Sequence, residues 1–205
     1  MNVKPMLRKY FIMGSQNCSR DPAIILKEAI AGGITAFQYR EKGPGSLTGE
    51  AKIELGKRLR KICREHGIPF IINDDIDLIE VLDVDGVHVG QDDTPPEQIR
   101  EMYPDLIIGL SISNEQELKN SNLEVVDYVG AGPVFTTKTK EDAKDAVGLA
   151  WIETLRKWHP DLPIVAIGGI NENNAKQVLA AGADGVAFIS AVTKSKDITE
   201  TLKRL

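Results

Sequence analysis

Little in this chain suits thiolate chemistry: its two cysteines, Cys18 and Cys63, stand far apart, with no CxxC pair and no Cys/His cluster around them. That argues against both a disulfide framework and a zinc site and leaves two free thiols as the expectation. Histidine is also scarce, with three in 205 residues, and none is placed as a general base. His88 lies inside an apolar run, where packing or a hydrogen bond accounts for it, and His66 and His159 lie near helix ends. There is no basic excess either. The formal net charge is −5, so no nucleic-acid partner is expected, and an anionic ligand must be held by local cations and backbone dipoles. No apolar run is long enough to span a bilayer, and the first residues lack a continuous apolar core followed by a small-residue cleavage site. Neither a membrane partner nor export is expected, and the cytoplasm is the default compartment. Low-complexity stretches and linkers are missing too, so one domain over residues 1–205 is the expectation.

What is present is a regular series of short apolar runs rich in β-branched residues, at 10–13, 34–37, 69–72, 86–89, 106–109, 125–129, 163–167 and 185–189. Each is too short for a typical helix, and their near-continuous apolarity suits strands of a parallel sheet covered on both faces. Between them lie segments with apolar residues at helical spacing, such as 22–30 and 53–62. Several of these end in glycine just before the next run, as at Gly33, Gly67 and Gly182, which is C-cap chemistry. Eight strand-then-helix units in 205 residues, at the low end of the usual size, predict an α/β (β/α)8 TIM barrel. An open doubly wound sheet is the alternative; it is disfavoured by the strand count and by the lack of GxGxxG after the first run.

In a barrel of this kind the site lies at the C-terminal ends of the strands. Asp74 and Asp93 follow adjacent runs and are hard oxygen ligands of the type that hold Mg²⁺ together with substrate phosphate oxygens. Arg40, Lys42 and Lys140 add fixed positive charge able to grip a diphosphate and stabilise its departure. Singly, each carboxylate is as well explained by a helix start, Asp74 as a cap and Asp93 within a turn before Pro95-Pro96; beside the cations on neighbouring strand ends, the pair reads as a site. Gly168-Gly169 and Ser190, after the seventh and eighth runs, form a separate monophosphate cradle in which backbone N–H groups approach the ligand. Trp151 and Trp158 read as packing against the barrel, and the basic stretch 57–64 as a solvated helix face.

The segments Phe37-Gln38-Tyr39-Arg40-Glu41-Lys42, Ile72-Asn73-Asp74-Asp75, Gly86-Val87-His88-Val89-Gly90-Gln91-Asp92-Asp93, Gly109-Leu110-Ser111, Gly132 to Lys140, Val147-Gly148-Leu149, Ala166 to Ile170 and Gly182 to Val186 resemble, in order and spacing, the thiamine-phosphate synthase family. The resemblance covers nearly the whole chain and implies two small phosphorylated heterocyclic substrates and Mg²⁺. It implies that Gln38, Tyr39, Arg40, Glu41, Lys42, Asn73, Ser111 and Lys140 bind a pyrimidine diphosphate, with Arg40, Lys42, Ser111 and Lys140 catalytic. It further implies Asp74 and Asp93 on the metal, and Thr137, Lys138, Thr139, Gly169, Ile189 and Ser190 on a thiazole phosphate. In the family the diphosphate leaves first and the thiazole nitrogen captures the resulting cation, a reaction that asks for charge stabilisation and positioning more than for a base. Thr136 departs from the proline common at that position. A related thiazole tautomerase has histidine where Pro133 stands and lacks the second metal carboxylate; a non-catalytic phosphate sensor would not need Asp74, Asp93, Arg40 and Lys140 together. The segment 136–147 is the expected lid, and the oligomeric state, homo-oligomer or monomer, stays open.

Overall fold

The computed structural model describes residues 2–137 and 145–205. Eight parallel strands close in sequence order into a barrel: β1 (Lys9–Met13), β2 (Ala36–Tyr39), β3 (Phe70–Asn73), β4 (Gly86–Val89), β5 (Ile107–Ile112), β6 (Tyr128–Ala131), β7 (Ile164–Ile167) and β8 (Gly185–Phe188). The helices are α1 (Lys4–Leu7), α2 (Pro22–Ala31), α3 (Gly49–Glu65), α4 (Leu78–Leu82), α5 (Pro96–Met102), α6 (Glu115–Asn120), α7 (Gly148–Trp158), α8 (Ala175–Ala180), α9 (Ser190–Thr193) and α10 (Ile198–Arg204). The barrel predicted from eight apolar runs is therefore the observed fold, and the open sheet is excluded. None of the helices among the described residues is long and apolar enough to cross a membrane.

Strand alternation divides the apolar residues into two cores. Phe37, Tyr39, Phe70, Ile72, Val87 and Val89 face outward and bury against the helices, where Leu55, Leu59 and Ile62 of α3 meet them at helical spacing. Tyr10, Ile12, Ala36, Ile71, Ile107, Tyr128, Val165 and Ala187 face inward. Each fully buried large side chain contributes about 1.5–3 kcal/mol. The lower end of the barrel is closed by α1, whose Met6 and Leu7, with Val3, join the inner core. Gly185 makes that plug possible: a Cβ there would stand 1.8 Å from the Leu7 carbonyl oxygen.

The same end carries a fourfold repeat that the sequence reading missed. Before every even-numbered strand a short polar side chain accepts a hydrogen bond from the backbone N–H of the first strand of its pair. The four are Lys9 to Thr35 Oγ1 at 2.8 Å, Phe70 to Asp85 at 2.7 Å, Ile108 to Asp127 at 2.8 Å and Ile164 to Asp184 at 2.9 Å. Each of the three aspartates also holds an arginine from a helix, Arg60, Arg100 or Arg156, at 2.7 Å. Arg60 is therefore a structural clamp, which corrects the reading of 57–64 as a merely solvated face. Trp151 is buried, its indole N–H donating to the Ile112 carbonyl at 3.0 Å, but Trp158 is 45% exposed at the end of α7 and does not pack on the barrel. Both cysteines are free thiols.

The strands also run past the apolar runs that announced them. β2 ends at Tyr39 rather than at Phe37, and β5 continues through Ser111 to Ile112. Ladder hydrogen bonds pair backbone atoms, so polar side chains near the top of the barrel stay in the sheet and are held as rigidly as the core.

Candidate active site

A cavity of about 680 Å³ opens at the C-terminal end of the barrel, within the range usual for small-molecule sites. One side is formed by Lys42, Gly90, Gln91, Asp93 and Ser111; the other by Pro133, Thr136, Thr137, Gly168, Gly169, Ile189, Ser190 and Lys194.

On the first side, Asp74 follows β3 in a left-handed conformation with φ 61°, and its N–H donates to the His88 carbonyl at 3.0 Å. Few non-glycine residues hold this conformation outside constrained sites, although aspartate tolerates it better than most. Its carboxylate lies 2.6 Å from the Lys42 ammonium and within hydrogen-bonding reach of Asp93. Burial raises the Asp74 carboxyl above its ordinary value, the Lys42 ammonium opposes this, and the facing Asp93 carboxylate pushes it up further. Asp93 is oriented in turn by the Gly90 N–H, which donates to Oδ2 at 2.7 Å. Neither carboxylate serves as the helix cap that would otherwise explain it: α4 begins after Asp77, and α5 follows Pro95. Two oxygen-donor groups pressed together against their own repulsion suit a divalent cation. Among the described residues no group of three or more His, Cys, Asp or Glu side chains could hold a metal, so phosphate oxygens and water would complete the shell, as is usual for Mg²⁺.

Arg40 is 5% exposed and Asn73 is 9% exposed. Gln38 is also buried and faces the barrel axis, where its amide N–H donates to Tyr10 Oη at 3.1 Å. Tyr39 and Glu41 do not join this group. They occupy the outward parity of the strand: the Tyr39 hydroxyl donates to the Lys52 carbonyl at 2.9 Å, and Glu41 accepts from Ser15 N, Ser15 Oγ and Leu47 N at 2.6, 2.8 and 2.7 Å. Glu41 thus staples two loops, and Tyr39 packs under α3. Strand alternation could have separated them from their neighbours in advance.

On the second side, Gly168 and Gly169 have φ 104° and 64°, and the β6 and β7 loops meet there so closely that a Cβ on Gly168 would lie 2.4 Å from Pro133 Cβ. Asn174 Nδ2 donates to the Gly169 carbonyl at 2.9 Å and holds that turn in place. Ile189, at the N-cap, and Ser190, the first residue of α9, lie at the cavity wall, where the backbone N–H groups of a helix start favour an anion. Lys138, Thr139 and Lys140 lie outside the described residues, as does most of the expected lid. Lys194 was missed by the sequence reading; the signal for it was its spacing, one helical turn beyond Ser190. Gln91 Nε2 donates to the Ser111 carbonyl at 2.8 Å.

The chain is similar to known proteins over nearly its full length. Residues 9–192 match the family model described as thiamine monophosphate synthase. A thiamine-phosphate synthase of Oceanobacillus iheyensis is 63% identical over 98% of both chains, and one of Anoxybacillus flavithermus is 51% identical over 99% of this chain and 94% of that one. The solved structure of a thiamine phosphate pyrophosphorylase from Pyrococcus furiosus superposes with a TM-score of 0.86 at 35% identity, covering 100% of this chain and 96% of the other. A cavity at the C-terminal end of this barrel and identities far above the level at which a fold alone is shared lead to one conclusion: the chain belongs to the thiamine monophosphate synthase family.

Proposed function

We propose that this chain is a transferase that makes thiamine phosphate, moving the 4-amino-2-methyl-5-pyrimidinylmethyl group from its diphosphate to the nitrogen of 4-methyl-5-(2-phosphoethyl)thiazole or its carboxylate. The observation that carries the reading is the paired arrangement of the cavity: Lys42 and Asp93, with Asp74 against both, on one wall, and a glycine-lined cradle suited to a phosphate on the other. Thiamine biosynthesis is the process served. Free Cys18 and Cys63 fit a reducing compartment, the cytoplasm.

In this mechanism the diphosphate is gripped by Lys42, Arg40 and Lys140, with Asn73 and Ser111 as neutral partners. The C–O bond breaks with its electron pair leaving on the diphosphate, and the thiazole nitrogen lone pair then forms the C–N bond; with the carboxylated thiazole, CO2 also leaves and a solvent proton takes its place. Fixed cations that meet developing negative charge without reorganising supply the largest share of such stabilisation. Asp74 and Asp93 would hold Mg²⁺, which when bound neutralises charge on the departing diphosphate. Gly169, Ile189 and Ser190, with Thr137, Lys138 and Thr139, hold the thiazole phosphate so that its nitrogen faces the cation rather than water does. Gln38 meets the edge of the pyrimidine. We assign Tyr39 and Glu41 to shaping the β2 end rather than to contact with the ligand.

The test is a two-substrate assay with and without Mg²⁺. Thiamine phosphate and pyrophosphate should accumulate together and only with the metal present. Isomerisation of the thiazole carboxylate phosphate without coupling, or binding of both ligands without turnover, would overturn the assignment in favour of a tautomerase or a sensor.

A further inference from the structure

A hydrogen-bonded chain of side chains crosses the interior of the barrel from β2 to β5. Gln38 Nε2 donates to Tyr10 Oη at 3.1 Å, Tyr10 Oη and Tyr128 Oη are 2.8 Å apart, Tyr128 Oη is 3.1 Å from His88 Nδ1, and His88 Nε2 is 2.9 Å from Ser111 Oγ. Space for it is built into the neighbouring strands by glycine. In the ladder Gly109 is opposite both His88 and Tyr128, and a Cβ on it would stand 2.2 Å from Tyr128 Cζ and 2.5 Å from His88 Nδ1. Gly130 clears the other flank of the imidazole, where a Cβ would lie 2.9 Å from Cε1. Both phenols are fully buried and are pushed well above the ordinary tyrosine range by that burial, so each remains a neutral hydroxyl with one proton to give.

Neutral hydroxyls impose an order. If Gln38 donates to Tyr10, Tyr10 donates to Tyr128, Tyr128 donates to Nδ1 of His88, Nε2 carries the imidazole proton and donates to Ser111, and the Ser111 proton is left to point into the cavity. At the other end Gln38 Oε1 is buried and has no hydrogen-bond partner among the described residues, so it calls for an N–H donor. The opposite order holds the same number of protons but needs the other His88 tautomer, rotated hydroxyls and a flipped Gln38 amide. It would present an N–H at Gln38 and an acceptor at Ser111.

We infer that Tyr10, Tyr128 and His88 are positioning residues that tie the acceptor face of Gln38 to the donor direction of Ser111, so that a ligand with an amino group at one end and an anionic oxygen at the other selects one order of the whole chain. This rests on the function proposed above, since an aminopyrimidine diphosphate carries that pair of groups. Cooperative polarisation along the chain makes the two ends stronger together than apart.

The test is a double-mutant cycle on binding of the pyrimidine diphosphate with Mg²⁺, measured by calorimetry for Gln38→Leu, Ser111→Ala and the pair, then repeated in a Tyr128→Phe background. Phenylalanine keeps the ring that packs 5.9 Å from Tyr10 and deletes only the hydroxyl. Non-additivity on the order of fivefold is expected with Tyr128 intact and additivity within about twofold without it. Tyr128→Phe should also raise KM for the pyrimidine diphosphate while leaving KM for the thiazole phosphate unchanged, a split that general loosening of the barrel would not give. Should Tyr128→Phe fail to fold, Tyr10→Phe cuts the same chain one link earlier. Equal coupling in both backgrounds overturns the inference while the enzyme still turns over. A wild-type protein that forms no thiamine phosphate overturns the functional reading beneath it.

Discussion

Replacing Asp184 by Ala should lower the melting temperature substantially without altering turnover, because its side chain clamps the end of the barrel opposite the cavity. Three interactions disappear. The N–H of Ile164, a fully buried residue, lies 2.9 Å from Oδ2 and is left without its acceptor, which costs about 1–3 kcal/mol. Arg156 loses its 2.7 Å carboxylate but keeps carbonyl acceptors at Gly182, Pro160 and Leu162, at 2.9, 2.6 and 2.9 Å; with the two side chains 23% and 17% exposed, that loss stays near about 1 kcal/mol. The Lys4 ion pair at 3.3 Å, with its lysine 38% exposed, adds a few tenths at most. The total is about 2–4 kcal/mol, which for a chain of this size lowers Tm by about 4–16 °C. Thermal melts followed by circular dichroism give Tm, and steady-state assays at 25 °C give kcat and KM for both substrates. A melting temperature within about 2 °C of wild type would refute the clamp, and a tenfold fall in kcat at a temperature where the variant is fully folded would refute the separation of the stabilising end from the reacting end.

Gly169→Ala should raise KM for the thiazole phosphate by about tenfold or more and leave KM for the pyrimidine diphosphate nearly unchanged. The residue has φ 64°, and its Cβ would stand 2.8 Å from Phe135 Cβ, so the cradle must shift; equal changes in both KM values would show that the two walls are not separate. Burial raises the Cys18 thiol to about 11 and the Cys63 thiol to about 12. The native protein at pH 8 should therefore react with a thiol reagent at least about tenfold more slowly than the denatured chain, whose thiols ionise near 8.5. The sign for stability follows: the unfolded state loses these protons first, so the contribution is intact below about 8.5 and is lost as pH rises toward 11. Fast labelling of both thiols at pH 8, or a stability that rises across that window, would contradict it.

The apolar runs were enough to predict the barrel because each strand is buried on both faces and leaves a strong local signal. The positions of Asp74, Asp93, Gly168, Gly169 and Ser190 after those runs were enough to direct attention to one end of it. Parity within β2 is equally legible in principle: Gln38 points to the axis while Tyr39 packs under α3 and Glu41 binds two loops, a division that a motif of mixed polarity over 37–42 does not display by itself.

The eight-strand barrel and the placement of Asp74, Asp93, Gly168, Gly169 and Ser190 after its strands follow from local chemistry, and the sequence by itself determined them. Tertiary structure alone decided that Tyr10, Tyr128 and His88, which sit in three apolar runs and look like core, form one polar chain between Gln38 and Ser111. It also decided that Gly109 and Gly130 exist to make room for them, and that arginines on three helices clamp the aspartates before β4, β6 and β8. Closing a barrel brings together residues far apart in the chain, Tyr10 and Tyr128 across 118 positions and Lys9 beside Val186 where β1 meets β8. No local pattern encodes such a meeting, because which side chains face one another across the axis is set by strand register and closure.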